Sequence, residues 1–148
     1  MPFRFPLQSV LRLRRSLERQ EEQRLLALAA VVSRLASELK AREEADFEER
    51  RAALADMETY SSGAQLQFRV VCDASAQRAI VALRTQLKEA EDKRLAQLKV
   101  YHAARQRREI FEGLRKRQKE IYDRELTRQQ QQENDEAFLL REFMTKHD

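Results

Sequence analysis

Apolar residues recur along this chain at alternating spacings of three and four. The clearest run is Leu25, Leu28, Val32, Leu35 and Leu39, which is the a and d pattern of a coiled coil. Because this spacing keeps the apolar side chains on one side of an α-helix, it predicts a long amphipathic helix that packs against a second helix.

This first predicted helix extends in both directions from the clear run. Upstream, the stripe continues through Leu7, Val10 and Leu17, and Leu11 and Leu13 broaden it. Downstream, the pattern slips by one residue, which predicts a local change of winding. The downstream positions are Arg42 and Asp46, followed after the slip by Phe47, Leu54 and Met57.

A second run with the same spacing follows further along the chain. Its first part is Ile80, Leu83, Leu87 and Ala90. The predicted seam of this second helix then continues, after another one-residue slip, through Leu95, Leu98, Ile110, Leu114 and Ile121, with Phe111 beside them.

The segment TYSSGAQ, residues 59–65, is the strongest interruption between the two runs, and Gly63 in it is a candidate helix C-cap. Both prolines, Pro2 and Pro6, precede the first run, so nothing else is expected to stop a helix. We therefore predict an all-α fold, a long antiparallel two-helix coiled coil in one domain of residues 1–148. Helix 1 spans about 7–58 and helix 2 about 66–145.

Folding the chain back at residue 61 or 62 makes position i face about position 123 minus i. Residues 7–58 then pair with about 65–116, and the remainder of helix 2 forms a C-terminal overhang that nothing in the chain covers. An uncovered apolar surface of this kind requires another protein. The apolar residues of the overhang are Ile121, Tyr122, Leu126, Phe138, Leu139, Leu140, Phe143 and Met144.

Composition excludes several classes of function. Charged residues make up 36% and aromatic residues 7%, which favours an elongated protein over one with a large core. Cys72 is the single cysteine, so no internal disulfide is possible, and we interpret it as a half-buried helix residue. With His102 and His147 far apart, and with no phosphate loop or nucleophile motif, we predict no enzyme activity, cofactor or metal site.

Charge is distributed unevenly along the predicted hairpin. Residues 105–119 hold seven basic residues against two acidic ones, and residues 4–19 hold five against one. The pairing rule places these two segments side by side as a basic collar at the open end, where like charges repel each other. Residues 38–58, near the turn, instead hold eight acidic residues against four basic ones. This coincidence favours a docking surface over a merely solvated helix face.

Two short segments resemble the FliJ family of the bacterial flagellar type III export apparatus. The opening FRFPLQSVLRLRRSLERQEEQRLLAL (residues 3–28) resembles the start of that family. LRKRQ (114–118), the aromatic Tyr122 and the run ending in NDEAF (134–138) resemble its closing pattern. The resemblance implies an antiparallel coiled coil similar to the central stalk of rotary ATPases. It also implies a cytoplasmic location, with contact to the membrane only through the export apparatus.

The resemblance further implies three kinds of partner: the hexameric export ATPase FliI, the export gate protein FlhA and substrate chaperones. ATPase binding is expected at the open end and gate binding near the turn, the latter from position alone. The alternatives are a basic coiled coil that binds nucleic acid and a generic scaffold. The expected ATPase-binding residues are Arg12, Arg14, Arg15, Arg107, Arg108, Leu114, Arg115, Arg117, Gln118, Asp135 and Glu136. The expected gate-binding residues are Phe47, Leu54, Tyr60, Phe68 and Cys72.

Nucleic acid is expected to bind only weakly, because the basic residues are interleaved with carboxylates and no aromatic stacking platform accompanies them. Affinity should fall steeply with salt and show no sequence preference. Fluorescence anisotropy with labelled duplex and single-stranded DNA at two salt concentrations measures this. Sub-micromolar, sequence-selective binding at physiological salt would favour the nucleic-acid alternative.

Overall fold

Two α-helices make up nearly all of the structure, a computed structural model that describes residues 1–57 and 62–147. The first, α1, spans Gln8–Met57, and the second, α2, spans Gly63–Lys146. The two helices pack against each other as a hairpin, and the described ranges contain no strand. This confirms the predicted all-α coiled-coil fold.

Contacts divide the chain into two compact units. Unit 1 comprises Met1–Arg19 and Ala103–Asp148, and unit 2 comprises Gln20–His102. Each unit therefore contains a stretch of α1 and a stretch of α2. The interpretation of residues 1–148 as one domain stays a prediction.

The core of unit 2 follows the clear apolar run. Leu35, Ile80 and Ala90 are buried. The partly buried residues around them are Leu25, Leu28, Val32, Leu39, Leu83 and Leu87. Because these side chains remove apolar surface from water on both helices at once, they are the main source of packing energy in this unit.

The predicted slips in the pattern are wrong. Phe47, Leu54 and Leu95 are each at least half exposed, at 65%, 68% and 50%. The seam instead keeps its phase and passes through Asp46 and Gln97. Each of these polar side chains forms a hydrogen bond to the other helix. They therefore occupy seam positions, and the pattern contains no slip. Asp46 Oδ2 accepts a hydrogen bond from Gln77 Nε2 at 3.0 Å, and Gln97 Nε2 donates to the backbone oxygen of Glu21 at 3.1 Å.

The start of α2 differs from the predicted turn. Gly63 is the first residue of α2 and has no positive φ, so it is not the C-cap predicted for the preceding helix. Ser62 acts as the N-cap, because its Oγ accepts a hydrogen bond from the backbone N of Gln65 at 3.3 Å. The first part of the predicted turn lies outside the described residues.

The N-terminal segment completes the core of unit 1. Phe5 is 7% exposed and Leu11 is fully buried. Phe3 lies against Tyr122 with 5.6 Å between the ring centroids, and the Tyr122 hydroxyl donates a hydrogen bond to the backbone oxygen of Met1. Tyr122 is therefore covered by the N-terminal segment, and its placement in the uncovered overhang is wrong.

Beyond Tyr122, every residue from 123 to 147 is exposed. We call this segment the free helix end. Within the described part of the chain, the predicted overhang is therefore uncovered from residue 123 onward. No helix among the described residues combines the length and the apolar character that crossing a membrane requires.

Leu11 and Leu13 provide a matched test of the core of unit 1. Leu11 is fully buried, whereas Leu13 is 57% exposed. We expect Leu11→Ala to lower the free energy of unfolding by about 2–5 kcal/mol, because it removes buried methyl groups and leaves a cavity. Leu13→Ala should cost less than about 1 kcal/mol. Urea unfolding followed by circular dichroism measures both, and equal losses would contradict the assigned seam.

Candidate partner-binding surfaces

The basic collar lies in unit 1, where the start of α1 packs against α2. Arg15 contacts Glu112 on the other helix, with its Nη2 2.6 Å from Oε1 and its Nε donating a hydrogen bond to Oε1 at 2.8 Å. Arg14 instead places its guanidinium 5.9 Å from the centre of the Phe111 ring, which is within the range of a cation–π contact.

Arg108 forms the most enclosed ion pair of the collar. Its Nε lies 2.5 Å from Glu18 Oε2, and its Nη2 donates a second hydrogen bond to Oε1 at 3.3 Å. Only 25% of the Arg108 side chain and 15% of the Glu18 side chain are exposed. The hydrogen bond to Glu18 raises the pKa of Arg108, and the carboxylates of Glu18, Glu109 and Glu112 act in the same direction.

The expectation that collar arginines face and repel each other is wrong for Arg15 and Arg108. The pairing rule set Arg15 opposite Arg108, whereas the structure pairs Arg15 with Glu112 and Arg108 with Glu18. The facing positions differ from the rule by three or four residues, which is one helical turn. That shift replaces the expected contact of Arg15 with Arg108 by two ion pairs.

Other collar arginines carry no such neutralisation. Arg12, Arg107 and Arg117 are exposed, and none has an acidic partner within ion-pair distance in the part of the chain that the structure describes. Arg14 and Arg115 each have a buried Nε without a hydrogen-bond partner. The collar therefore keeps cationic groups that are free to meet an acidic surface.

The remaining residues of the family-like closing motif all lie at the surface. Gln118, Asp135 and Glu136 are exposed, and Leu114 is 37% exposed. Asp135 and Glu136 belong to the free helix end, whereas Leu114 lies beside the collar. The structure does not bring these residues together with Arg12 or Arg15 through any hydrogen bond or ion pair among the described residues.

The predicted seam of α2 in this unit is wrong by one residue. Ile110, Leu114 and Ile121 are 61%, 37% and 54% exposed, whereas Phe111 and Tyr122 are partly buried and contact the N-terminal part of the chain. Ala104, Arg108 and Glu112, spaced four residues apart, are also partly buried, so two polar residues take part in the packed side of α2. A signal for the true seam was therefore available in Phe111 and Tyr122, the two aromatic residues of this stretch.

A groove of about 630 Å³ lies in unit 2, between the C-terminal part of α1 and the N-terminal part of α2. Leu54, Phe68 and Cys72 of the predicted gate-binding set line it, together with Leu66 and Arg69. Phe68 is 71% exposed. Arg69 closes one side, since its Nη1 donates a hydrogen bond to the backbone oxygen of Ala53 at 2.8 Å.

Three further residues of the turn region have separate outcomes. Cys72 is exposed, which corrects the prediction of a half-buried thiol. Phe47 is 65% exposed and lies beside Glu43, Glu44 and Glu48 rather than in the groove. Tyr60 lies outside the described residues. Across residues 1–57 and 62–147 no three potential metal ligands of the His, Cys, Asp or Glu type lie close enough to hold an ion.

A hairpin with a free helix end, a basic collar and a shallow groove defines a helical interaction protein. The profile of the Flagellar FliJ protein family matches residues 3–147, and the chain belongs to the FliJ family. It is thus a component of the flagellar export apparatus. No curated protein matches the chain, and no solved structure matches it.

The Arg108–Glu18 pair gives a test of the observed register. Arg108→Glu should lower the free energy of unfolding by about 1–2 kcal/mol, because it sets two carboxylates together in a partly enclosed position. The exchange Glu18→Arg with Arg108→Glu should recover most of that loss, since it restores an ion pair. Urea unfolding of the single and double variants measures the coupling. A double variant no more stable than the single one would exclude this pairing.

Proposed function

We propose that this protein acts as the stalk of the export ATPase: it binds the hexameric ring, promotes ring assembly and activity, and links the ring to the export gate. The observation that carries the proposal is the free helix end, in which every residue from 123 to 147 is exposed. Membership of a flagellar export family supplies the cellular context.

The composition of the free helix end supports binding to another protein. Phe138, Leu139, Leu140, Phe143 and Met144 are each more than 60% exposed. Exposed apolar clusters of this kind cost solvation free energy unless a partner covers them. A single helix that extends beyond the hairpin has the dimensions to enter the centre of a ring of subunits.

The collar supports the same partner through charge. Arg12, Arg107 and Arg117 are exposed and unpaired among the described residues, so an acidic rim on the ring would be attracted to them. Exposed ion pairs of this kind are individually weak, at about 0–1 kcal/mol each. Weak, wet contacts suit a stalk that meets six identical subunits, because tight packing against one subunit would hold the stalk in place.

The stalk is coupled to ATP hydrolysis because it binds the conformations of the ATPase subunits with different affinities. A stalk that contacts one conformation of an ATPase subunit more strongly than another shifts the population of that conformation. The same coupling acts in reverse, since the nucleotide state of each subunit then changes its affinity for the stalk. Assembly is promoted in the same way, because the stalk binds the ring and not the separated subunits.

The groove near the turn is the proposed site for the export gate. Leu54, Phe68 and Cys72 present apolar surface there, and Arg69, paired with Asp56, forms its edge. An extended or helical segment of the gate that carries an apolar side chain would fit a groove of this volume. Escort of substrate chaperones is a further part of the proposed role, at the cytoplasmic side of the export apparatus.

Charge reversal in the collar tests the ATPase contact. We expect Arg107→Glu with Arg117→Glu to remove most stimulation of the export ATPase, because both residues then repel an acidic rim. Helicity should stay unchanged, since neither residue has an ion pair within the described chain. Steady-state ATP hydrolysis with increasing amounts of the purified protein measures the effect.

Glu44→Lys with Glu48→Lys is the matched control. It reverses the same number of charges at exposed positions in unit 2, and stimulation should stay within about twofold of the native protein. Normal stimulation by the collar variant together with loss in the control variant would place the ATPase contact near the turn instead.

A further inference from the structure

The exposed apolar residues of α2 in unit 1 form a regular second stripe. Ile110, Leu114 and Ile121 lie one residue before positions that face the N-terminal part of the chain, among them Phe111 and Tyr122. One residue corresponds to a rotation of about 100° around the helix. The stripe therefore runs along one flank of the hairpin, beside the packed seam.

Two contacts identify that flank on α1. Arg14 lies over Phe111, and Arg15 pairs with Glu112. Arg15 follows Arg14 by one residue, and Glu112 follows Phe111 by one residue. Because the helices are antiparallel, this step rotates both side chains toward the same side of the hairpin. Arg14 and Phe111 therefore share one flank. Arg15 and Glu112 share the opposite one.

The flank of Arg14 also carries apolar residues of α1. Val10 and Leu17 lie four residues before and three residues after Arg14, which places them on the same side of the helix. Leu13 broadens this side and is 57% exposed. Both helices therefore present apolar side chains to the same side of unit 1. We call this surface the lateral face, and it consists of Val10, Leu13, Leu17, Ile110, Leu114 and Ile121.

Gly113 lies beside this stripe within α2. A Cβ built at this position meets nothing within 4 Å, so the packing of the described chain does not explain the missing side chain. Glycine inside a helix costs about 1 kcal/mol relative to alanine. A smooth helix surface at this point allows the backbone of a neighbouring helix to approach closely.

The spacing of the stripe is that of a coiled-coil seam. Arg107, Ile110, Leu114, Arg117 and Ile121 follow one another at intervals of three, four, three and four. The five positions are either apolar or arginine, and no carboxylate occurs among them. They span about 20 Å of helix, which matches a partner helix of three to four turns.

Charge selects the chemistry of that partner. Arg107 and Arg117 are exposed and have no acidic partner within the described residues. A second copy of this chain that used the same face would bring two cationic surfaces together, which is unfavourable. A helix with an apolar stripe flanked by carboxylates would satisfy both the apolar surface and the arginines.

We propose that the lateral face binds an acidic amphipathic helix of another protein, which packs as a third helix against α1 and α2. The face is distinct from the free helix end and from the groove near the turn, but it shares Arg107 and Arg117 with the basic collar. The proposal does not depend on the stalk function, since it concerns a surface of the isolated protein.

A pair of designed peptides tests the proposal on the full chain. The first is a labelled 21-residue helix with leucine at its a and d positions and glutamate on both flanks, and the second carries lysine in place of glutamate. We expect the acidic peptide to bind at least tenfold more tightly by fluorescence anisotropy, with an affinity that falls as salt rises. Equal binding of the two peptides would overturn the assigned chemistry.

Substitutions locate the site. Ile110→Gln with Leu114→Gln should weaken binding of the acidic peptide by at least tenfold while helicity is retained, because both residues are exposed. The control, Val81→Gln with Leu95→Gln, changes two exposed apolar residues of unit 2 and should leave binding unchanged. Equal weakening by both variants would overturn the location. Sedimentation that showed a stable dimer, broken by the first variant only, would assign the face to a second copy instead.

Discussion

Polar contacts across the hairpin are the constraint on which the register of the two helices depends. Apolar side chains such as Leu35 and Ile80 supply burial, but a slide of one turn would keep much of that burial. The pairs of Arg108 with Glu18 and Asp46 with Gln77 would be lost by such a slide. Because a partly enclosed polar group without a partner is costly, these pairs select one register among several apolar ones.

Sequence periodicity predicted the helices well because long, proline-free helices depend on local preferences and on repeated spacing. It failed where the seam becomes polar. The apolar pattern places Phe47 and Ile110 in the seam, whereas the structure places the polar residues Asp46 and Arg108 there, the latter beside Phe111. The pairing rule was in error by one turn in the collar, since residue counting from an assumed turn contains no information about which charges meet.

Partner surfaces were harder to predict than the fold, for a physical reason. A one-residue error in phase rotates a helix by about 100°, so the stripe of Ile110 and Leu114 changes from a packed surface to an exposed one. The free helix end was predicted correctly, because its exposure depends only on helix 2 being longer than helix 1. The groove near the turn required three-dimensional proximity of Leu54 and Phe68, which periodicity alone does not provide.

At residues 123–147, which are exposed, a substitution can change partner binding without changing the stability of the fold. Substitution of a buried residue such as Leu11 changes stability and therefore changes how much folded protein a cell retains. Side chains at the free helix end have no packing role within the described chain. Substitutions there leave the amount of folded protein unchanged, so selection acts on them only through partner binding. This segment can therefore change in evolution together with its partner without destabilising the hairpin.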